Sequence, residues 1–298
     1  MQAVAAFKLS WIIDEEHIHL SIKEFLAIQE ISRRALTDIK FSGGAIYING
    51  SEQNVRYRLK EKDVLTVEFP PEIPSRTLLI EDIELTVVYE DEHVLVLDKP
   101  AYMPTIPSRE HPSGSLANAI LGYYQKRQIQ AAVHVVTRLD RNTSGLVLIA
   151  KHRYMHHLLS KYQQKGWVKR TYEALVEGWM KEAEGTIIAP IGRKDSSIIE
   201  REVREDGQYA CTHFQVLEQF AGYSHVKIWL ETGRTHQIRV HFSHLGHPLL
   251  GDDLYGGCMD KFSRQALHCS GLTFNHPLTK QSLSFHSPPP FGKLLKKD

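Results

Sequence analysis

The thirteen residues from Arg138 to Ala150 (RLDRNTSGLVLIA) constrain this chain more than any other stretch. Arg138-Leu139-Asp140-Arg141-Asn142-Thr143-Ser144-Gly145 reads as a polar loop, because Asp, Asn, Ser and Gly close turns through local side-chain-to-backbone bonds. Leu146-Val147-Leu148-Ile149 follows as a continuous apolar run of strand length. The pattern therefore demands a buried, rigid strand that presents one carboxylate, Asp140, between two guanidinium groups, Arg138 and Arg141. Flanking positive charge favours the ionised carboxylate, and an ionised carboxylate can act as a nucleophile. Taken alone, the same residues also fit an Asx-turn or cap with arginines in surface ion pairs.

A chain of 298 residues accommodates one large domain or two unequal ones, and an apolar content of 42% supplies a sizeable core. No apolar run reaches the length of a membrane span. The opening MQAVAAFKLSWIIDEEH lacks the long apolar centre of a secretory leader. The three cysteines, Cys211, Cys258 and Cys269, show no metal-finger spacing and fit a reducing, cytoplasmic setting. Net charge is only +1, with nine basic against eleven acidic residues up to position 75 and an excess of +3 after it. Any nucleic-acid surface must then be a local patch.

Residues 1–72 read as a small module. Ile22, Phe25, Leu26 and Ile28 have helical spacing, and Ser32 caps a second helix that Gly43-Gly44 breaks. Strands are expected at Ala45–Asn49, before an Asn49-Gly50 turn, and at Val55–Tyr57 and Val64–Phe69. Pro70-Pro71-Glu72-Ile73-Pro74 is a stiff linker into residues 73–298. There Leu85–Tyr89 and Val94–Leu97 form a hairpin pattern, and Ser115–Lys126 and the Tyr154/Leu158/Leu159/Tyr162 stripe read as helices. Strands follow near 171–179, 185–191, 208–218 and 223–231, then a helix over Thr235–His244 whose positive end suits an anion. Strands near 265–274 and 281–286 complete an α+β chain with a mixed, mostly antiparallel sheet.

The central stretch resembles the H-R-L-D-x-x-T-S-G motif of the RluA-type RNA pseudouridine synthases. In the same order, VYEDEHVLVLDKPAYM (88–103), KRTYEALVEG (169–178), TGRTHQIRVHFSHLGHPLLGDDLYGG (232–257) and RQALHCSGLTFNHP (264–277) also match, so the resemblance covers roughly residues 76 to 290. The module, with I-S-R-R-A and G-A-I-Y-I-N-G, is similar to the S4-type RNA-binding fold, on which Arg33, Arg34 and Lys40 would face phosphates. Thr137 stands where the family usually has His, and Tyr102 where Gly is common.

The resemblance implies isomerisation of a uridine in ribosomal RNA or tRNA, which needs no cofactor because there is neither redox change nor net hydrolysis. It implies Asp140 as the nucleophile on a flipped-out base, Tyr172 stacked on that base, and Arg239 paired with Asp140. Ile238 would form an apolar wall, while Arg138, Arg141, Thr143, Arg234 and His236 would contact RNA. The partner would be RNA, the protein a monomer, and no membrane is expected. Whether Asp140 attacks the sugar C1′, attacks uracil C6 or removes a sugar proton stays open at this point. His236, His241, His244 and His247 fall within twelve residues, yet their spacing does not converge three ligands, so no metal site is read here. Two rivals compete: a non-catalytic RNA-binding protein of the same fold, and a glycosidase with Asp91, Asp98 or Asp252 as a second carboxylate.

Overall fold

Two apolar patterns build two sheets. The computed structural model describes residues 7–75, 77–109 and 111–296, so residues 1–6 of the opening stretch read for a leader lie outside the described residues. The first sheet comes from β1 (Lys8–Ile12), β2 (Ala45–Ile48), β3 (Ser51–Glu52) and β4 (Val64–Glu68), antiparallel in the order β1-β4-β2-β3. Helices α1 (Ile22–Ile28) and α2 (Arg33–Phe41) cover one face. Ser21 and Glu24 form a reciprocal capping box on α1, and the Ser32 hydroxyl accepts from the Ala35 amide to start α2. Ile22, Leu26, Ile39, Leu65 and Val67 are fully buried between them.

The strand expected at Val55–Tyr57 does not form. Asn54 closes a turn instead, accepting from the Arg56 amide at 2.9 Å through its side chain and from the Tyr57 amide at 3.1 Å through its carbonyl. Local Asx chemistry overrides the β-propensity of Val and Tyr there.

The second sheet has ten strands. Its members are β5 (Thr86–Glu90), β6 (Val94–Lys99), β7 (His134–Val135), β8 (Ser144–Ala150), β9 (Lys169–Glu177), β10 (Glu184–Ile188), β13 (Cys211–Phe220), β14 (Tyr223–Leu230), β15 (Leu267–Asn275) and β16 (Ser282–His286). The main path runs β10-β13-β14-β9-β15-β8-β6-β5, with β16 on β15 and β7 on β8. Pairing is antiparallel except between β8 and β15. The expected α+β class with a mixed, mostly antiparallel sheet is what forms. The runs expected at 185–191 and 208–218 shorten, because residues 189–210 leave the sheet to make the separate hairpin β11 (Ile191–Arg193) and β12 (Arg201–Val203).

All seven residues of β8 are buried, as the continuous apolar run requires. Its second residue, Gly145, lies at φ +114°, and a Cβ there would meet the Cys269 carbonyl oxygen of β15 at 2.4 Å. Only glycine permits both the backbone angle and the parallel neighbour. The polar loop thus leaves a strand whose position is fixed on both sides.

Helix α3 spans Leu116–Lys126, and helix α4 (Arg153–Gln164) joins the two bodies. Met155 and Leu159 enter the core of the large sheet, whereas Tyr154 and Leu158 complete the core of the small one. The Tyr154 hydroxyl donates to the Gln29 carbonyl at 2.5 Å, and Arg153 and Lys161 pair with Asp38 and Glu30 at 2.9 and 3.0 Å. The Pro-rich linker is pinned as well: Glu72 accepts from the Arg153 amide at 2.6 Å and pairs with His134 at 2.5 Å. No helix among the described residues is long and apolar enough to cross a membrane.

His152 sits at this junction. Its ring stacks on Phe7 with centroids 3.7 Å apart, its Nδ1 accepts from the Met155 amide as the cap of α4, and its Nε2 lies 3.1 Å from His93 Nδ1. Burial lowers its pKa to about 3. The unfolded chain takes up this proton near 6.5 and the folded chain only near 3, so His152 lowers stability progressively as pH falls through that window. Wild-type melting temperature should therefore drop between pH 6.5 and 3. His152→Asn, which keeps a capping acceptor but cannot titrate, should flatten that slope; an unchanged slope would show that His152 does not set it.

Candidate active site

The loop Arg138–Gly145 is held from several directions. Thr105 Oγ1 donates to the Leu139 carbonyl at 2.7 Å and accepts from the Leu139 amide at 3.1 Å. Arg264 donates to the Asn142 carbonyl at 2.9 Å and to Ser144 Oγ at 3.0 Å, while Ser144 Oγ also bonds His268 Nδ1 at 2.9 Å. Lys99, fully buried at the end of β6, donates to the carbonyls of Pro100 and Met103 at 2.8 Å and of Arg141 at 3.3 Å. Burial lowers the Lys99 pKa to about 7, against the pull of the Asp140 charge. Its three carbonyl acceptors match the three N–H groups of an ammonium ion, so hydrogen bonding supports the charged form.

One carboxylate of this loop faces the cleft. The Asp140 carboxylate, 29% exposed, lies 3.4 Å from Arg239 Nη1 and 3.8 Å from His236 Nε2. Those are its ion pairs among the described residues, so the sequence-based picture of Asp140 clasped by Arg138 and Arg141 is corrected. Asp140 to Thr143 closes as a turn, and Arg138 and Arg141, both exposed, line the cleft instead. Arg239, expected to pair with Asp140, gives its stronger bonds elsewhere: Nε and Nη2 grip the two oxygens of Asp252 at 2.7 Å each. Asp252 is fully buried and occupied by this fork, which removes it as a free second carboxylate. Asp98 bonds Ser287 at 2.5 Å and Asp91 caps the β5–β6 turn, so neither supplies a glycosidase pair in the cleft.

Arg239 comes from α5 (Gln237–His244), which starts two residues later than the sequence suggested. His236 takes φ +58° and acts as the N-cap, and Gln237 organises the preceding loop. Gln237 accepts from Thr232 Oγ1 and the Arg234 amide at 2.8 and 3.0 Å and donates to the Cys211 carbonyl and Thr212 Oγ1 at 2.9 Å. Burial lowers the His236 pKa while Asp140 opposes it, and its Nδ1 bonds the Tyr255 hydroxyl at 2.7 Å. His241 and His247 are likewise engaged, with Thr212 and Ala189 and with Glu177, so the four-histidine run does not converge.

These elements enclose a cleft of about 380 Å³. Asp140, Tyr172, Arg239, Arg138, Arg141, Thr143, Arg234, Ile238 and His236 all line it. Arg33 and Arg34 do not; they are exposed on α2. Tyr172 is almost fully buried on β9, and burial raises its phenol above the ordinary value, keeping it neutral near pH 7. Arg170, two residues earlier on the same strand face, lines the cleft with its guanidinium 5.8 Å from the Tyr172 ring. Asp140 is the single acid among lining residues that include Arg138, Arg141, Arg170, Arg234 and Arg239. A chain of net charge +1 thus concentrates positive charge where the carboxylate sits. Thr137, in the usual His position, is buried and accepts from the Leu148 amide at 2.9 Å. Tyr102, in the usual Gly position, has φ +65° and bonds Ser263 at 3.1 Å.

The loop-borne acid, the buried phenol and the basic wall meet in one cleft, on the fold of the pseudouridine synthases. A family model for RNA pseudouridylate synthase matches residues 93–244, and the chain belongs to the RNA pseudouridine synthase family. It is 55% identical to the RNA pseudouridine synthase YjbO of Bacillus subtilis across 93% of this chain and 99% of that one. It is also 42% identical to ribosomal large subunit pseudouridine synthase D of Pseudomonas aeruginosa, over 71% of this chain and 70% of the relative. Among solved structures, human RNA pseudouridylate synthase domain containing 1 superposes with a TM-score of 0.60 at 25% identity, covering 76% of this chain and 89% of the human one. The chain is therefore an isomerase of RluA type that acts on RNA.

Arg170, Lys99, Gln237 and Arg264 escaped the sequence reading of the site, and Asp252 entered it only as a rival second carboxylate, although each lies in or beside a matched motif. A lysine two residues after the apolar run Val94–Leu97, at the end of the same strand, is the one local signal, since a buried charge must find partners. Lys99→Met should leave three carbonyl oxygens without their donor and lower unfolding free energy by about 3 kcal/mol, read by urea denaturation. Wild-type stability would mean that the carbonyls find other partners.

Proposed function

We propose that this enzyme isomerises specific uridines in structured ribosomal RNA or tRNA, with Asp140 as nucleophile on a base flipped into the cleft. The observation that carries this reading is the convergence of Asp140, Tyr172 and Arg239 on one cleft with a strongly basic rim. A uridine stacked in a helix cannot offer its glycosidic bond to a loop carboxylate, so the base must leave the stack. In the cleft, Tyr172 and Ile238 supply flat and apolar surface for the uracil, and the exposed guanidinium groups of Arg138 and Arg141 suit flanking phosphates. A neutral phenol can hold or pass a proton without competing with Asp140 as a nucleophile. The names of relatives that act on the ribosomal large subunit make its RNA the first substrate to test, with tRNA as the other.

The same proposal divides the chain into an S4-like RNA-binding module at 1–72 and a catalytic domain at 73–298. Support comes from the separate small sheet and from Arg33 and Arg34, whose exposed side chains on α2 can reach phosphate. A monomer in the cytoplasm agrees with one complete cleft per chain and with three free cysteines.

Pseudouridine mapping of total RNA should show modified positions that disappear when the gene is removed and return with wild type but not with Asp140→Asn. The variant, nearly identical in shape, should bind RNA within about threefold of wild type while isomerisation falls by at least ~10³-fold. Retained turnover would end the nucleophile assignment. Arg33→Ala with Arg34→Ala should reduce the slope of log affinity against log salt by about 1.4, if each contacts a single-strand phosphate. An unchanged slope would place the RNA away from α2.

A further inference from the structure

We propose that Cys211, His213 and Glu231 form a zinc-binding site on the sheet face opposite the cleft. Cys211 and His213 are two residues apart on β13 and so point to the same face. Glu231 follows β14 and lies beside Cys211 across the strand pair, its amide bonded to the Cys211 carbonyl at 3.3 Å. One donor atom from each residue lies within 4.8 Å of the other two.

The distances approach those of a tetrahedral ion. Bonds of about 2.3 Å to sulfur and about 2.0 Å to nitrogen or oxygen give tetrahedral edges of roughly 3.5 and 3.3 Å. Cys211 Sγ is 3.7 Å from His213 Nε2, so that edge closes by about a bond-angle adjustment. His213 Nε2 and Glu231 Oε1 stand 2.8 Å apart, and the half-exposed Glu231 side chain has room to open. Thr186 Oγ1 bonds His213 Nδ1 at 2.8 Å, which orients the ring and directs Nε2 at the thiol and carboxylate.

Thiolate, imidazole and carboxylate together select a borderline cation such as Zn²⁺ over Mg²⁺ or Ca²⁺. Binding forms the S–Zn bond as the thiol proton leaves to solvent. The proton on His213 Nε2 moves to Nδ1, where Thr186 can accept it, so the ring stays neutral. Three protein ligands leave the fourth position for water or for the Tyr209 phenol, which faces Cys211. The consequence reaches the active site through the backbone. The Cys211 amide donates to Thr232 Oγ1 at 2.9 Å, and its carbonyl accepts from Gln237 Nε2, so an ion there staples the base of the loop bearing Arg234 and His236.

The full-length protein, stripped with chelator, should take up one equivalent of Zn²⁺ in a competition titration, with a rise in melting temperature. Co²⁺ in its place should give the intense thiolate-to-metal absorption band. Cys211→Ser should abolish the band and the equivalent, and His213→Gln, on a part-exposed residue, should weaken binding at least tenfold with an unchanged far-ultraviolet spectrum. Should wild type bind no ion, or should both variants keep the same equivalent, the site is refuted. Binding without the Co²⁺ band would also exclude Cys211 as a ligand.

Discussion

Arg239 has three guanidinium nitrogens, and the active-site geometry depends on how they are shared. Two are locked onto the buried carboxylate of Asp252 at 2.7 Å, and the third is left 3.4 Å from Asp140. A planar fork gripped on one side cannot swing, so the remaining N–H direction is fixed before RNA arrives. Tyr255 lies against the guanidinium at 4.8 Å and also holds His236, tying the second neighbour of Asp140 to the same unit. Buried charge of this kind is tolerated because it is paired and hydrogen-bonded, and removing one partner from a buried pair typically costs about 3–5 kcal/mol.

The opposing half of the site is built by a different means. Asp140 stands on a loop whose backbone is bonded by Thr105, Lys99 and Arg264, and whose exit, Gly145, is pressed against β15. These bonds remove freedom from the loop and so fix where the Asp140 carboxylate stands in the cleft. The exposed arginines are placed differently, concentrating positive charge at the cleft of a protein that is otherwise almost neutral. Buried cations hold the loop, and exposed ones set the charge of the cleft mouth.

Periodic and covalent features were legible in the chain, whereas partner choice was not. The run Leu146–Ile149 announced a buried strand, and Ser32 and Ser115 marked helix starts where capping bonds form. Ordered motifs brought Asp140, Tyr172 and Arg239 to notice, and all three line one cleft. Sequence proximity misled at Asp140, because among the described residues nearby Arg138 and Arg141 make no ion pair with it, while Arg239, to which only the resemblance pointed, is 99 residues away. The Arg239–Asp252 fork, thirteen residues apart across an irregular loop, has no periodic signature. Cys211, His213 and Glu231 were equally hidden, since a site assembled across strands lacks the spacing of a metal finger.

The fork gives the account its sharpest test. Asp252→Asn keeps one oxygen for Arg239 but removes the charge and the bidentate grip that orient it. With folding checked by circular dichroism, turnover on a pseudouridylation substrate should fall about a hundredfold, because small misplacements of a reacting group carry penalties of that size. Affinity for the RNA should stay within about twofold, since Asp252 is sealed from the cleft. Wild-type turnover in the folded variant would contradict the claim that a clamped Arg239 poises Asp140.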